Sequence, residues 1–136
     1  MLEQTAEMAN PKLLSPLALA FLGDAVYEIC ARRKIVGEGN CPVNQMHRKS
    51  VGMVCAKAQS AALEKLFDLL TEEEQAVFKR GRNAHSASSP KHTELVDYRR
   101  ATGMEALFGY LYLQGRMSRI EELFELAVTS EEREAF

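Results

Sequence analysis

The chain has no tryptophan, and only 7% of its 136 residues are aromatic. Those few aromatics fall mostly at helical core spacing, which argues against a single-strand binder that stacks bases on exposed rings. Cys30, Cys41 and Cys55 are odd in number and lack the paired spacing of metal ligands. Neither a disulfide framework nor a zinc site is indicated, and free or buried thiols in a reducing compartment are expected. No apolar run approaches the ~20 residues of a bilayer span, so no membrane partner is expected. Met1 to Pro11 is polar and slightly acidic, without the basic and apolar pattern of an export signal, and a cytoplasmic location is expected. An overall excess of positive charge is missing too: the net charge is −2.

The distribution of charge is less neutral than its sum. Between Lys79 and Arg100 stand Lys79, Arg80, Arg82, Lys91, Arg99 and Arg100 against only Glu94 and Asp97. A second basic group comprises Arg32, Arg33, Lys34, Arg48, Lys49 and Lys57, with Glu38 alone opposing it. Such segregation gives an acidic body a positive face able to attract a polyanion, although charge clusters also occur as plain solvated surface.

Strand signals are scarce, and Ala, Leu, Glu, Lys and Met favour helix throughout, so the expectation is an all-α single domain. Ser15 and Pro16 cap and open a first helix to about Lys34. Its apolar residues run round the whole circumference, which predicts burial on most sides. Gly37 to Asn40 forms a turn, and a helical run from Pro42 to Leu70 follows, with Gly52 as a possible break. Thr71-Glu72-Glu73-Glu74 is a capping box for a helix ending near Gly81. Gly81 to His92 reads as a loop, Thr93 as the next cap and Gly115 as the next stop. Ser118-Arg119-Ile120-Glu121 reads as a second capping box, and Ser130 to Phe136 as a frayed acidic tail.

Two acids stand out within apolar helices. Asp24 lies in Phe21-Leu22-Gly23-Asp24-Ala25-Val26, and Glu105 in Met104-Glu105-Ala106-Leu107-Phe108-Gly109. An ionised carboxylate there needs a cation, a metal or strong donors. Ala106 and Gly109 would let another helix approach closely. If the two helices cross at these points, Asp24 and Glu105 can share a hard divalent cation such as Mg²⁺, which on a basic surface suggests phosphoryl chemistry. The alternative is that each acid pairs with a buried arginine, Arg48 or Arg100, in a helical protein–protein module. Glu28, one turn beyond Asp24, reads first as an ion-pair partner of Arg32 and second as a more distant contributor to the metal site.

These residues also resemble a known family. Phe21 to Val26 resembles the signature of the ribonuclease III catalytic domain, and Glu105 to Gly109 its second acidic motif. Leu17 to Glu28, Asn44 to Arg48, Ala56 to Gln59, Arg80 to Ala84, Pro90-Lys91 and Tyr98-Arg99 together resemble the short Mini-ribonuclease III family, in order, from about Leu14 to Leu126. The resemblance implies a ribonuclease III catalytic-domain-like helical bundle over 14–128, with an N-terminal extension over 1–13 and an acidic tail over 129–136. It implies a Mg²⁺-dependent endoribonuclease of double-stranded RNA that acts as a homodimer through its signature helices. The substrate implied is the precursor of large-subunit (23S) ribosomal RNA, with a ribosomal protein or particle as a possible aid.

By the same motif match, Asp24 and Glu105 are the catalytic and metal-holding carboxylates. Ribonuclease III enzymes carry acids where this chain has Leu17, Ala20 and Thr102, so the site is poorer in carboxylates, and a catalytically silent RNA-binding homodimer is the competing reading. A-form RNA is read through phosphates and 2′-hydroxyls. The residues offered for that are His47, Arg48, Lys79, Arg80, Arg82, Asn83, Ser86, Lys91 and Arg99. The dimer also has a physical motive, because a first helix apolar all round has more surface to bury than a domain this small can cover.

Overall fold

The structure is a computed structural model that describes residues 10–84 and 94–134, with side chains to Thr129. Among the described residues it is all helix, as expected: α1 (Pro16–Gly37), α2 (Val43–Val54), α3 (Ala56–Leu66), α4 (Glu72–Arg82), α5 (Leu95–Leu113) and α6 (Met117–Glu134). Short 3₁₀ turns at Pro11–Leu13 and Phe67–Leu69 precede α1 and follow α3.

The Ser15 side chain accepts the Ala18 N–H at 3.1 Å, so α1 starts where its cap dictates. The Thr71 capping box is complete, with the Thr71 N–H donating to Glu74 at 2.9 Å and the Glu74 N–H to Thr71 at 3.1 Å. Three boundaries differ from expectation. The α2–α3 break falls at Cys55, which is extended (φ −64°, ψ 155°), while Gly52 stays inside α2. The N-cap of α5 is Glu94, without a side-chain capping bond; Thr93 lies outside the described residues, as do Ser86 and Lys91 of the expected loop. Gly115 (φ 72°) ends the α5 turn, and α6 then begins at Met117, which puts Ser118 inside the helix instead of at its cap. That helix continues through the expected frayed tail as far as Glu134.

Helix α5 is the centre of the bundle, packed against α1, α3 and α4. Its residues from Ala101 to Leu111 are buried almost without interruption, Glu105 being only partly so. Tyr27 of α1 meets Phe108 of α5 and Phe124 of α6 at ring-centroid distances of 4.9 and 5.2 Å, an aromatic knot that joins three helices. α1 has the same apolar-all-round sequence character as α5 and a different fate. Its inner side is buried through Leu19, Gly23, Val26, Tyr27, Ala31 and Ile35. Its outer side is not: Phe21 is 86% exposed and Ile29 64%, with Leu17 and Val36 beside them in solvent. The expectation of burial on most sides is therefore corrected for the single chain, whose other helices cover only one side of α1.

Candidate active site

α1 and α5 cross with their backbones in contact, and two glycines permit it. A Cβ added to Gly23 would stand 1.6 Å from the Glu105 carbonyl oxygen, and one added to Gly109 would stand 2.1 Å from that of Leu19. Gly109 thus does what its sequence position suggested. Ala106 turns elsewhere: it faces α4, where a Cβ on Gly81 would meet it at 2.7 Å. Because Gly23 precedes Asp24 and touches the backbone of Glu105, the crossing delivers both acids to one place.

The two carboxyl groups share a hydrogen bond, and the pKa of Glu105 is pushed up to about 8. Burial is the largest cause, followed by the hydrogen bond and negative charge of Asp24; a hydrogen bond from Gln59 opposes them. Of the pair, Glu105 is the one withdrawn from water, so its charged form is the one disfavoured. Asp24, expected in an apolar interior, is exposed, because the side of α1 that carries it is the uncovered one.

Among the described residues no arginine or lysine forms an ion pair with either acid. Arg100, a candidate partner, donates instead to Glu64 at 2.9 Å and to Ser60 at 3.3 Å. Glu28 is occupied as well, paired with Arg32 at 3.1 Å and accepting from Ser50 at 3.2 Å. Its reading as an ion-pair partner holds. Thr102 donates its hydroxyl to the Tyr98 carbonyl at 3.0 Å.

A hard divalent cation fits this donor set. The site offers two carboxylates that repel each other, and beside them the buried Gln59 carbonyl oxygen, which has no hydrogen-bond partner among the described residues. Asp24 and Glu105 would hold the ion. Among the described residues no three His, Cys, Asp or Glu side chains gather into a cluster, so most of its coordination would fall to water. A separate cavity of about 430 Å³ lies between α1 and α6, lined by Val26, Ile29, Cys30, Tyr112 and Phe124 among others. The carboxylates do not line it.

The polar residues proposed for RNA fall on three elements. His47 and Arg48 are exposed on α2, which packs on α1. Lys79, Arg80, Arg82 and Asn83 form the C-terminal turn of α4, next to the contact of Gly81 with Ala106 and hence one residue from Glu105 along α5. Several of these already serve the fold. Lys79 lies 5.7 Å over the Phe67 ring, Arg80 donates to the Leu14 carbonyl at 3.4 Å, and Arg82 donates to Asn83 at 3.1 Å. Arg99 is exposed on α5.

The second basic group is largely neutralised. Arg32 pairs with Glu28, Arg33 with Glu121 at 3.1 Å, Lys34 with Glu125 at 3.8 Å and Lys49 with Glu38 at 3.6 Å. Arg48 and Lys57 remain as exposed cations outside those pairs. Gln59 is the site residue that sequence reasoning passed over, although it lies within one of the motifs carrying the resemblance. Its signal was an amide on the face of α3 that also bears Ala62, Leu63 and Leu66.

An all-α bundle with paired acids at a glycine-mediated crossing defines the ribonuclease III class of catalytic domain. The family model described as "Ribonuclease III domain" matches residues 17–116. A crystal structure of a protein from Fusobacterium nucleatum superposes with a TM-score of 0.80 at 28% identity, covering 91% of this chain and 99% of that one. Two curated relatives named Mini-ribonuclease 3 are closer in sequence. The protein of Thermoanaerobacter sp. is 51% identical over 85% of this chain and 81% of its own length, and that of Brevibacillus brevis 48% identical over 93% and 94%. The chain belongs to the Mini-ribonuclease III family and is an endoribonuclease.

Proposed function

We propose that this endoribonuclease cleaves double-stranded RNA with Mg²⁺ held by Asp24 and Glu105. The observation that carries the reading is the meeting of these two carboxylates at the Gly23–Gly109 crossing with no cationic partner among the described residues. A protein that merely bound RNA would gain nothing from holding two acids together there. Bound at the pair, Mg²⁺ supplies a Lewis acid that polarises a phosphate and lowers the pKa of water. The chain's own residues supply the rest. Asp24, exposed, offers its carboxylate to the open surface, where a long polyanion can reach it. Glu105, anchored on the most buried helix, fixes the position of the pair. Arg48, Lys79, Arg80 and Arg99 hold phosphates on either side, with His47, Arg82 and Asn83 as further hydrogen-bonding groups; Ser86 and Lys91 belong to the same proposal.

The outer stripe of α1, with Leu17, Phe21, Ile29 and Val36 exposed, supports a homodimer formed through that helix. Among the described residues no helix is long and apolar enough to cross a membrane, in keeping with a cytoplasmic enzyme. The family resemblance extends the proposal to maturation of 23S ribosomal RNA precursor, with a ribosomal protein or particle as aid.

The test is cleavage of a long perfect RNA duplex, with and without Mg²⁺, by wild type and Asp24→Asn. Discrete Mg²⁺-dependent products are expected from wild type. The variant should cleave roughly 10³-fold more slowly or worse while binding the duplex unchanged. Wild type that binds the duplex without cutting it would point to the silent RNA-binding dimer. Failure to bind duplex RNA at low salt would sink both readings.

A further inference from the structure

Gln59 is 2% exposed and stands on the face of α3 that enters the core. Helix α2 ends at Val54 because Cys55 is extended, which leaves the last carbonyls of α2 in need of donors. The Gln59 side-chain N–H donates to the Val54 carbonyl at 2.8 Å. A carbonyl can only accept, so this bond fixes which end of the amide is nitrogen. The amide also donates to the Glu105 carboxylate. Both N–H groups are thus spent, one on the α2–α3 junction and one on the carboxylate pair. The carbonyl oxygen of the same amide is buried and has no partner among the described residues.

Buried carbonyl oxygens nearly always find a donor, and one left without it asks what donor arrives later. A leucine or methionine would fill the same apolar face without the difficulty. A lysine or arginine would neutralise Glu105 and exclude a cation. Glutamine orients the carboxylate and adds no charge. With two carboxylates as ligands, a Mg²⁺-like ion keeps several waters, each an O–H donor in need of an acceptor. Leu17 and Ala20, earlier on α1 than Asp24, carry no acceptor, and the Thr102 hydroxyl spends its proton on its own helix while keeping its lone pairs. The buried Gln59 oxygen alone among these has no hydrogen bond at all among the described residues.

We propose that Gln59 is a positioning residue of the metal site: its N–H holds Glu105, and its free carbonyl oxygen accepts from the hydration shell of the bound divalent cation. This rests on the functional reading above, and the experiment separates the two. Mn²⁺ binding to the full chain without RNA is measured by electron paramagnetic resonance for wild type, Asp24→Asn, Gln59→Met and Gln59→Leu, together with melting temperatures and the Mg²⁺ dependence of cleavage. Wild type should bind Mn²⁺, and Asp24→Asn should abolish it. Both Gln59 variants should bind about tenfold more weakly or worse, the size expected when a group supporting a metal ligand is removed. Their melting temperatures should fall modestly through loss of the bond to the Val54 carbonyl, they should remain folded, and their cleavage should recover as Mg²⁺ is raised. The second variant decides the matter should the first not fold. Unchanged Mn²⁺ affinity in a folded Gln59 variant, with or without a lower melting temperature, overturns the proposal and leaves the carboxylate site standing. A wild type without any Asp24-dependent Mn²⁺ overturns the functional reading itself.

Discussion

Glu74 and Glu105 lie on adjacent helices, α4 and α5, and both are withdrawn from water, yet their surroundings are opposite in kind. Burial alone would raise Glu74, but Arg119 grips it with two hydrogen bonds of 2.8 and 2.9 Å, the Thr71 N–H adds one at 2.9 Å, and Arg116 stands 3.9 Å away. Together these hold Glu74 below its ordinary range. Glu105 is raised to about 8, with another acid as its neighbour and one amide in opposition. The first arrangement is closed, since every acceptor has a donor and the charge is balanced. The second is left open, and in the proposed function a cation closes it. A buried acid thus announces function by its company, and burial by itself does not separate a structural strut from a site.

Gly23→Ala should break this contrast most severely. The new methyl group would meet the Glu105 backbone, which cannot swing aside, so α1 and α5 must part. A stability loss of about 3 kcal/mol or more is expected by chemical denaturation, with cleavage lost alongside. Arg119→Ala comes next. It leaves buried Glu74 with Arg116 as its remaining cation and the Thr71 N–H as its remaining donor and should cost about 3 kcal/mol, while cleavage per folded molecule stays unchanged because the α1–α5 crossing is untouched. Loss of catalysis at full folding would mean that the two regions are not independent.

A smaller effect sharpens the contrast through pH. Between the ordinary carboxylate range and about pH 8, native Glu105 holds a proton that the unfolded chain has released. Stability without metal therefore falls as pH rises through that window. Glu105→Gln should flatten the fall, by about 2 kcal/mol at its upper end, less than the full shift would give at 1.36 kcal/mol per unit. Glu74 has the opposite sign: its folded pKa is lowered, so its contribution is present above the unfolded value and lost as pH falls through the folded one. The smallest change concerns the surface. Arg48→Ala should weaken duplex binding modestly and uniformly across sequences, reducing the slope of log affinity against log salt by about 1.

Much of this was legible in the chain itself. Ser15 and Thr71 announced their helix starts because capping is local chemistry. Asp24 and Glu105 were conspicuous as acids in apolar company, and Gly109 hinted at the close approach that joins them. Long-range pairing was invisible. Arg33 and Lys34 read as a free positive patch because their partners, Glu121 and Glu125, stand on the last helix. The break at Cys55 carried no glycine or proline to mark it; a glutamine four residues on takes up the Val54 carbonyl. The exposure of Phe21 contradicted its apolar surroundings because periodicity reports which faces want burial, not whether this chain alone can bury them.

The most direct measurement is thermal unfolding of wild type, Asp24→Asn and Glu105→Gln, each with and without Mg²⁺. An ion that binds only the folded pair adds about 2.7 kcal/mol of stability at a hundredfold excess over its dissociation constant. The account predicts a clear rise in melting temperature on adding Mg²⁺ to wild type and none in either variant. An equal rise in all three would contradict it, placing any bound metal elsewhere and leaving the meeting of Asp24 with Glu105 unexplained.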